Sequence, residues 1–378
     1  MIIKKAIDVL QPAQGDPLDV VRVMIVDDSL VVRGMIARLF ADVPDIEVAA
    51  TVSNGQLAVD RLSRNTDIDV IVMDIEMPVM DGLTALPKLL EIDPRVKIIM
   101  ASTLSQRNAE ISLRALAAGA TDYVPKPSAS RELAGGQSFA EELQQKVRTL
   151  GGARRRRKRL RSSPAIKTQR QPQARPVQLR KPGVHSPEIL AIGSSTGGPQ
   201  ALFTFLSTIS TSFKLPIVIT QHMPATFTAI LAEHITRATG WPCSESKDGD
   251  VVTPGRILLA PGDFHMVIEE MNGQRVVRLN QEPPVNFCRP AVDVMLRSLV
   301  SAYGPRVLAV ILTGMGSDGL IGGQQVVEAG GTVIAQDEAT SIVWGMPGAV
   351  ATADLCSTVL PLGELGAYVM KFVSGGAK

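Results

Sequence analysis

Ser195 lies in the run Ile189-Leu-Ala-Ile-Gly193-Ser-Ser195-Thr-Gly197-Gly198-Pro199, an apolar strand that stops at a Gly-x-Ser-x-Gly turn and leads into a helix. Such a turn holds a hydroxyl at the exposed end of a sheet, and the helix N-terminus that follows favours negative charge, so Ser195 reads as a nucleophile. A serine nucleophile needs a base, and the chain has four histidines. His185 falls in a basic, polar stretch, His234 within a helical pattern, and His265 at the start of a hairpin strand. His222 follows a strand ending at Thr220-Gln221, which puts it on the carboxyl edge that carries Ser195 and makes it the best base available. An acid must orient the imidazole and stabilise its charged form. Asp318 meets that need, in Thr313-Gly-Met-Gly-Ser-Asp-Gly319 after an apolar strand at 307–312. That glycine-rich turn also exposes backbone N–H groups, and the one at Met315 could help hold an oxyanion.

A second run has different chemistry. Val70-Ile-Val-Met-Asp74-Ile-Glu76-Met-Pro-Val-Met-Asp81-Gly82 ends a strand on an acid, and an earlier strand at 22–26 ends on Asp27-Asp28. Ser102 ends a third strand, and Lys126 follows a fourth. Three neighbouring carboxylates cannot all stay ionised without a cation, and an all-oxygen site with few protein ligands suits Mg²⁺. With an ammonium group nearby, one of the acids can accept a phosphoryl group.

The elements that must position these groups are legible as alternating strands and helices. Strands at 22–26, 70–73, 97–100 and 120–124 alternate with helical stretches, and so do strands at 188–192, 216–220, 256–259, 307–312 and 332–335. The pattern predicts α/β architecture: two doubly wound, mostly parallel-sheet domains whose ligands bind at the carboxyl ends of the strands. Residues 265–270 and 275–280 flank Met271-Asn-Gly-Gln274, a two-residue hairpin signal, so an antiparallel excursion is expected in the second domain. The order Ser, His, Asp differs from that of α/β-hydrolases, so that fold is not implied. Gly314-x-Gly316-x-x-Gly319 with Asp337 outlines a dinucleotide fingerprint, but Asp318 inside the turn would repel a pyrophosphate.

Bulk properties agree. The 378 residues suggest two or three domains, and 45% hydrophobic with 20% charged residues is the composition of a globular protein. No apolar run approaches the ~20 residues of a membrane span, and residues 1–21 read as a tail rather than a signal peptide. Three widely spaced cysteines (Cys243, Cys288 and Cys356) suggest reduced thiols in a cytoplasmic protein, and without metal-site spacing they read as buried and inert. Twelve Lys and Arg and no acid lie between Arg154 and Lys181; the chain totals +2, so the remainder carries −10. Residues 147–186 accordingly read as a basic flexible linker between domains at 22–146 and 187–378. No stacking aromatics are interleaved with the charge, so no nucleic-acid partner is expected. A DNA-binding regulator and a non-catalytic scaffold remain the competing classes; no helix-turn-helix is visible in support of the first.

On these motifs the first domain resembles response-regulator receivers, which are flavodoxin-like. The resemblance implies Asp74 as phosphoacceptor, Mg²⁺ held by Asp27, Asp28, Asp74 and the Glu76 carbonyl, and Ser102, Tyr123 and Lys126 as the switch groups. The register leaves Thr103 as an alternative to Ser102. The motifs around Gly193–Gly198, Gln221–Pro224 and Thr313–Gly319 make the second domain similar to the Rossmann-like catalytic domain of chemotaxis protein-glutamate methylesterases. That resemblance implies Ser195, His222 and Asp318 as the triad, with Thr196 and Met315 as support near the oxyanion and no cofactor for the esterase. It further implies glutamine deamidation, chemoreceptor cytoplasmic domains as substrate, a histidine kinase as phosphodonor, contact with membranes only through receptors, and a monomer.

Overall fold

The computed structural model describes residues 20–103, 105–126, 139–162 and 177–375. The expected N-terminal tail and the middle of the expected linker therefore lie outside the described residues, apart from residues 20–21.

The first sheet is built from β1 (Val21–Val26), β2 (Ile46–Val52), β3 (Val70–Asp74), β4 (Lys97–Ser102) and β5 (Asp122–Pro125), in the order β2-β1-β3-β4-β5. The pairings of β1 with β2 and β3, and of β3 with β4, are parallel. The helices between the strands are α1 (Leu30–Ala41), α2 (Gly55–Arg64), α3 (Gly82–Ile92) and α4 (Gln106–Ala117). Ser29, Asn54, Asp81 and Ser105 cap their N-termini, each accepting a backbone N–H through its side chain. β3 is buried along its whole length, as a strand covered on both faces must be.

One expectation is corrected here. The helix that closes this unit, α5 (Phe139–Ser162), runs sixteen residues past the boundary expected at 146, so the first part of the basic segment is helix rather than flexible linker. Arg154 is buried, with Nη2 2.6 Å from Asp93 Oδ2 and Nε 3.4 Å from Asp69 Oδ1. Arg155 Nε lies 2.6 Å from the other Asp69 oxygen. The acids that neutralise this charge are 61 to 86 residues away in sequence, so local composition cannot show them.

The second sheet has seven strands: β6 (Ile189–Ser194), β7 (Ile217–Gln221), β8 (Cys243–Glu245), β9 (Ile257–Leu259), β12 (Val307–Ile311), β13 (Thr332–Gln336) and β14 (Cys356–Leu360). Their order is β14-β13-β12-β6-β7-β9-β8, and every pairing is parallel. The expected hairpin is present as a separate antiparallel pair, β10 (His265–Met271) with β11 (Gln274–Asn280). Asn272 and Gly273 have φ of 51° and 75°, as a two-residue primed turn requires.

The helices of this half are α6 (Gly198–Ser207), α7 (Ala225–Thr239), α8 (Val292–Tyr303), α9 (Leu320–Glu328), α10 (Met346–Thr352) and α11 (Leu362–Val373). The core on one side of the sheet joins Ala191, Val218, Ala309 and Ile311 to Met295 and Leu299 of α8 and to Val326 and Val350. Strand order reverses between β6 and β12, and that crevice at the carboxyl ends is where such sheets bind ligands.

By compactness, the described residues from Ser102 to Lys126 group with those of the second sheet rather than with the rest of the first. Within that unit, the Tyr123 ring stacks on Phe227 of α7 with centroids 4.4 Å apart. Gln200 of α6 donates through Nε2 to the carbonyls of Ala120 (2.7 Å) and Leu116 (3.2 Å).

Candidate functional site

Three strand ends converge beside the β6/β12 crevice. Backbone hydrogen bonds extend the sheet just past its formal limits: Ser195 N–H donates to the Thr313 carbonyl (3.0 Å) and His222 N–H to the Ser194 carbonyl (3.1 Å). The Gln221 side chain ties two of the turns together. Its Oε1 accepts from the Ser194 hydroxyl (2.6 Å), and its Nε2 donates to the carbonyls of Ser195 (3.0 Å) and His222 (3.1 Å). Gly314 is required by close approach, because a Cβ there would lie 2.3 Å from Met346 Sδ and 3.0 Å from Ser195 Cβ. Gly197, at φ 74°, turns the chain from the serine into α6.

His222 and Asp318 come together directly: Nε2 lies 2.7 Å from Oδ2. A carboxylate can only accept, so Nε2 carries the hydrogen and Nδ1 is the nitrogen left to take a proton. Asp318 is buried at the N-terminus of α8, where Oδ2 also accepts from Val292 N–H (2.6 Å) and Oδ1 from Asp293 N–H (3.0 Å). Asn286 Nδ2 and Gly319 N–H each add a 3.0 Å bond to Oδ1. Burial pushes this carboxyl up, but the His222 imidazole and the N–H donors outweigh it and hold its pKa below the ordinary value.

The neighbouring Asp293 shifts the other way, raised by burial and by the charge on Asp318. Its Oδ1 accepts from the N–H groups of Gly319 (3.0 Å) and Gly322 (2.7 Å), locking the glycine-rich turn to α8. Burial works against the charged form of His222, yet the sulfur of Cys288 and the Asp318 carboxylate together raise its pKa well above the usual 6.5.

Ser195 is half-buried at the end of β6 and, among the described residues, makes no hydrogen bond with the imidazole. Instead Nδ1 faces Cys288 Sγ at 3.3 Å. Thr196 is buried next to the serine, its carbonyl accepting from Thr313 Oγ1 (3.0 Å), while Met315 is half-buried in the glycine-rich turn. His265 opens β10 with Nε2 3.2 Å from the Pro283 carbonyl, and His234 lies within α7, as their sequence contexts suggest. Sequence reasoning passed over Asn286 and Asp293, and took Cys288 with the other two cysteines for a buried, inert thiol, whereas it is half-buried and faces the imidazole. Each comes from the 286–293 segment, where local pattern carries no sign of the strand end it will meet.

On the first sheet, Asp27, Asp28 and Asp74 place one carboxylate oxygen each within 4.8 Å of one another. Asp27 and Asp74 are buried and Asp28 is exposed, an all-oxygen donor set that fits a hard divalent cation such as Mg²⁺. Glu76 follows two residues after β3 and Lys126 directly after β5. Ser102 is buried at the end of β4, its hydroxyl accepting from Ser112 (3.0 Å); Thr103 is exposed and accepts from Asn108 (2.6 Å).

A strand-end acidic cluster on one parallel sheet, and a histidine–aspartate pair beside a strand-end serine on another, define a receiver joined to an α/β hydrolytic domain. Residues 23–135 match the family described as response regulator receiver domain, and residues 190–369 the family described as CheB methylesterase. A protein of Paramagnetospirillum magneticum named protein-glutamate methylesterase/protein-glutamine glutaminase 1 is 57% identical over 98% of this chain and 99% of its own length. An Azospirillum brasilense protein named protein-glutamate methylesterase/protein-glutamine glutaminase is 57% identical over 97% of this chain and 95% of its own. The solved catalytic domain of Thermotoga maritima CheB methylesterase is 40% identical, covering half of this chain and all of that one, with a TM-score of 0.49. The chain belongs to the chemotaxis protein-glutamate methylesterase/protein-glutamine glutaminase family.

Proposed function

We propose that this chain removes methyl groups from glutamate γ-methyl esters on the cytoplasmic domains of chemoreceptors, and deamidates glutamines there, under control of phosphorylation at Asp74. The observation that carries the chemistry is the 2.7 Å His222–Asp318 bond at the strand edge where Ser195 directly follows β6. Ser195 Oγ attacks the ester carbonyl while Nδ1 of His222 takes its proton. Asp318 stabilises the imidazolium, and the proton then passes to the leaving methoxide. Methanol departs, and water hydrolyses the acyl-serine by the same path in reverse, regenerating Ser195 and a carboxylate. Thr196 and Met315 support the developing oxyanion. An amide carbonyl follows the same course, with ammonia as the leaving group.

For control, Asp27, Asp28, Asp74 and the Glu76 carbonyl would hold Mg²⁺, which when bound offsets the negative charge of an incoming phosphoryl group. Asp74 accepts that group from a histidine kinase, and the single carboxylate charge gives way to a phosphoryl group carrying roughly −1.5 to −2, by analogy with other phosphorylated side chains. Lys126 pairs with it, and Ser102 and Tyr123 repack. The stacking of Tyr123 on Phe227 and the bonds from Gln200 support this route, because α6 follows the serine turn and α7 the histidine turn. No helix among the described residues is long and apolar enough to cross a membrane, so the reading has the chain reach membranes through its receptors. The test is methanol release from a methylated receptor fragment. Ser195→Ala should abolish it, and release at the wild-type rate would overturn the assignment.

A further inference from the structure

The nitrogen that must accept the proton of Ser195 is already in contact with another nucleophile. Asp318 accepts the hydrogen bond from Nε2–H of His222, which leaves Nδ1 as the accepting nitrogen, and Cys288 Sγ lies 3.3 Å from it. Carboxylate, imidazole and thiol thus stand in a line, the order in which a thiol hands its proton to a histidine held by an acid.

The loop that delivers the thiol is anchored to the acids themselves. Asn286 Nδ2 donates to Asp318 Oδ1 (3.0 Å) and Asp293 Oδ2 (2.9 Å). Val285 and Cys288 exchange backbone hydrogen bonds of 3.1 and 2.9 Å around the two residues between them. Those two, Asn286 and Phe287, have φ of 53° and 63°, a left-handed conformation that costs a bulky residue energy and needs surrounding structure to hold it. Phe287 is 85% exposed, so burial of its ring does not provide that support; the Asn286 bonds to the acids do.

We propose that Cys288 is a positioning residue of this hydrolase: its thiol shares Nδ1 of His222 with Ser195 and holds the imidazole at rest until substrate draws it to the serine. The proposal rests on His222 being the base. The ionisable groups around the ring are Cys288 from the 285–288 loop and Asp318 from the turn after β12. Asp293 on α8 stands behind Asp318, and His265 on β10 and Arg289 lie farther out. From the β6 and β7 turns come the uncharged Ser195 and Gln221. Contact with Cys288 is among the causes that favour the charged imidazole, and an imidazolium cannot accept a proton, so the contact delays the onset of activity as pH rises. Replacing it should move that onset to lower pH.

The other two thiols supply an internal control, because burial pushes Cys243 and Cys356 up to about 12. The full-length protein is treated with iodoacetamide at neutral pH, and alkylation of each cysteine is followed by mass spectrometry. Sulfur forms a bond to the methylene carbon, iodide leaves, and the thiol proton passes to Nδ1 of His222. Cys288 should react at least about tenfold faster than Cys243 and Cys356, and His222→Gln should slow it several-fold.

In methanol release, Cys288→Ala and Cys288→Ser should both shift the acid limb of kcat/KM to lower pH by about one unit. Cys288→Ser should stay closer to the wild-type maximum, because its hydroxyl still donates to Nδ1. Alkylation of Cys288 no faster than that of the other two cysteines, or unaffected by His222→Gln, would overturn the proposal, as would an unmoved acid limb. Ser195→Ala separates this from the esterase reading: methanol release tests the serine, while rapid Cys288 alkylation in the same variant still reports the thiol–imidazole contact.

Discussion

Each acid at the catalytic edge behaves according to its neighbours rather than its type. Asp318, beside an imidazole and at a helix N-terminus, is held in its charged form, while Asp293, facing Asp318, is pushed toward neutrality. Removing the orienting charge should therefore be costly: Asp318→Asn is expected to lower kcat by about 10⁴, measured by methanol release. The raised pKa of His222 gives a pH prediction of definite sign. A base must be neutral to act, so the acid limb of kcat/KM should lie above the ordinary histidine value and fall as pH drops through it; a limb at or below that value would contradict the pairing. For stability the sign is opposite. Charged His222 gains its partners only in the fold, so its contribution is full below the unfolded pKa and is lost as pH rises through the folded one.

At the scale of elements, what could be read locally was read, and what was missed shares a cause. The central strands β1, β3, β4, β6, β7, β12 and β13 are buried on both faces and show as apolar runs. β2, β8 and β14 went unrecognised, and all three are edge strands, where burial is partial and polar residues such as Glu47, Ser244 and Thr358 are admitted. The basic helix α5 shows the converse error, in which charge concealed an ordered element. Arg154 links Asp69 and Asp93 in a buried site, so Arg154→Ala leaves two acids without that partner. Unfolding of the full chain in urea should show a loss of about 3 kcal/mol. Asp93 is pushed up by burial but held below the ordinary carboxylate value by Arg154. Its share of stability is present above that ordinary value and is lost as pH falls through the lowered one.

At the scale of the molecule, the proposed control depends on contacts between the switch segment and the helices that leave the catalytic turns. Gln200 is the most economical point to perturb, since its side chain makes two bonds, to Leu116 and Ala120. At about 1 kcal/mol each, their loss in Gln200→Ala should raise activity in the absence of phosphodonor several-fold or more. Phosphodonor should then add correspondingly less. Unchanged basal activity would show that these bonds do not restrain the site. The two α/β sheets, the strand-end location of Ser195, His222, Asp318 and the receiver acids, and the hairpin were all legible in the chain alone, because these follow from periodicity and turn chemistry within a few residues. Which groups face the imidazole, what partners Arg154 and Arg155, and what rests on Tyr123 emerged only in the folded chain. Those depend on partners tens of residues or more away, brought close by packing rather than by any local pattern.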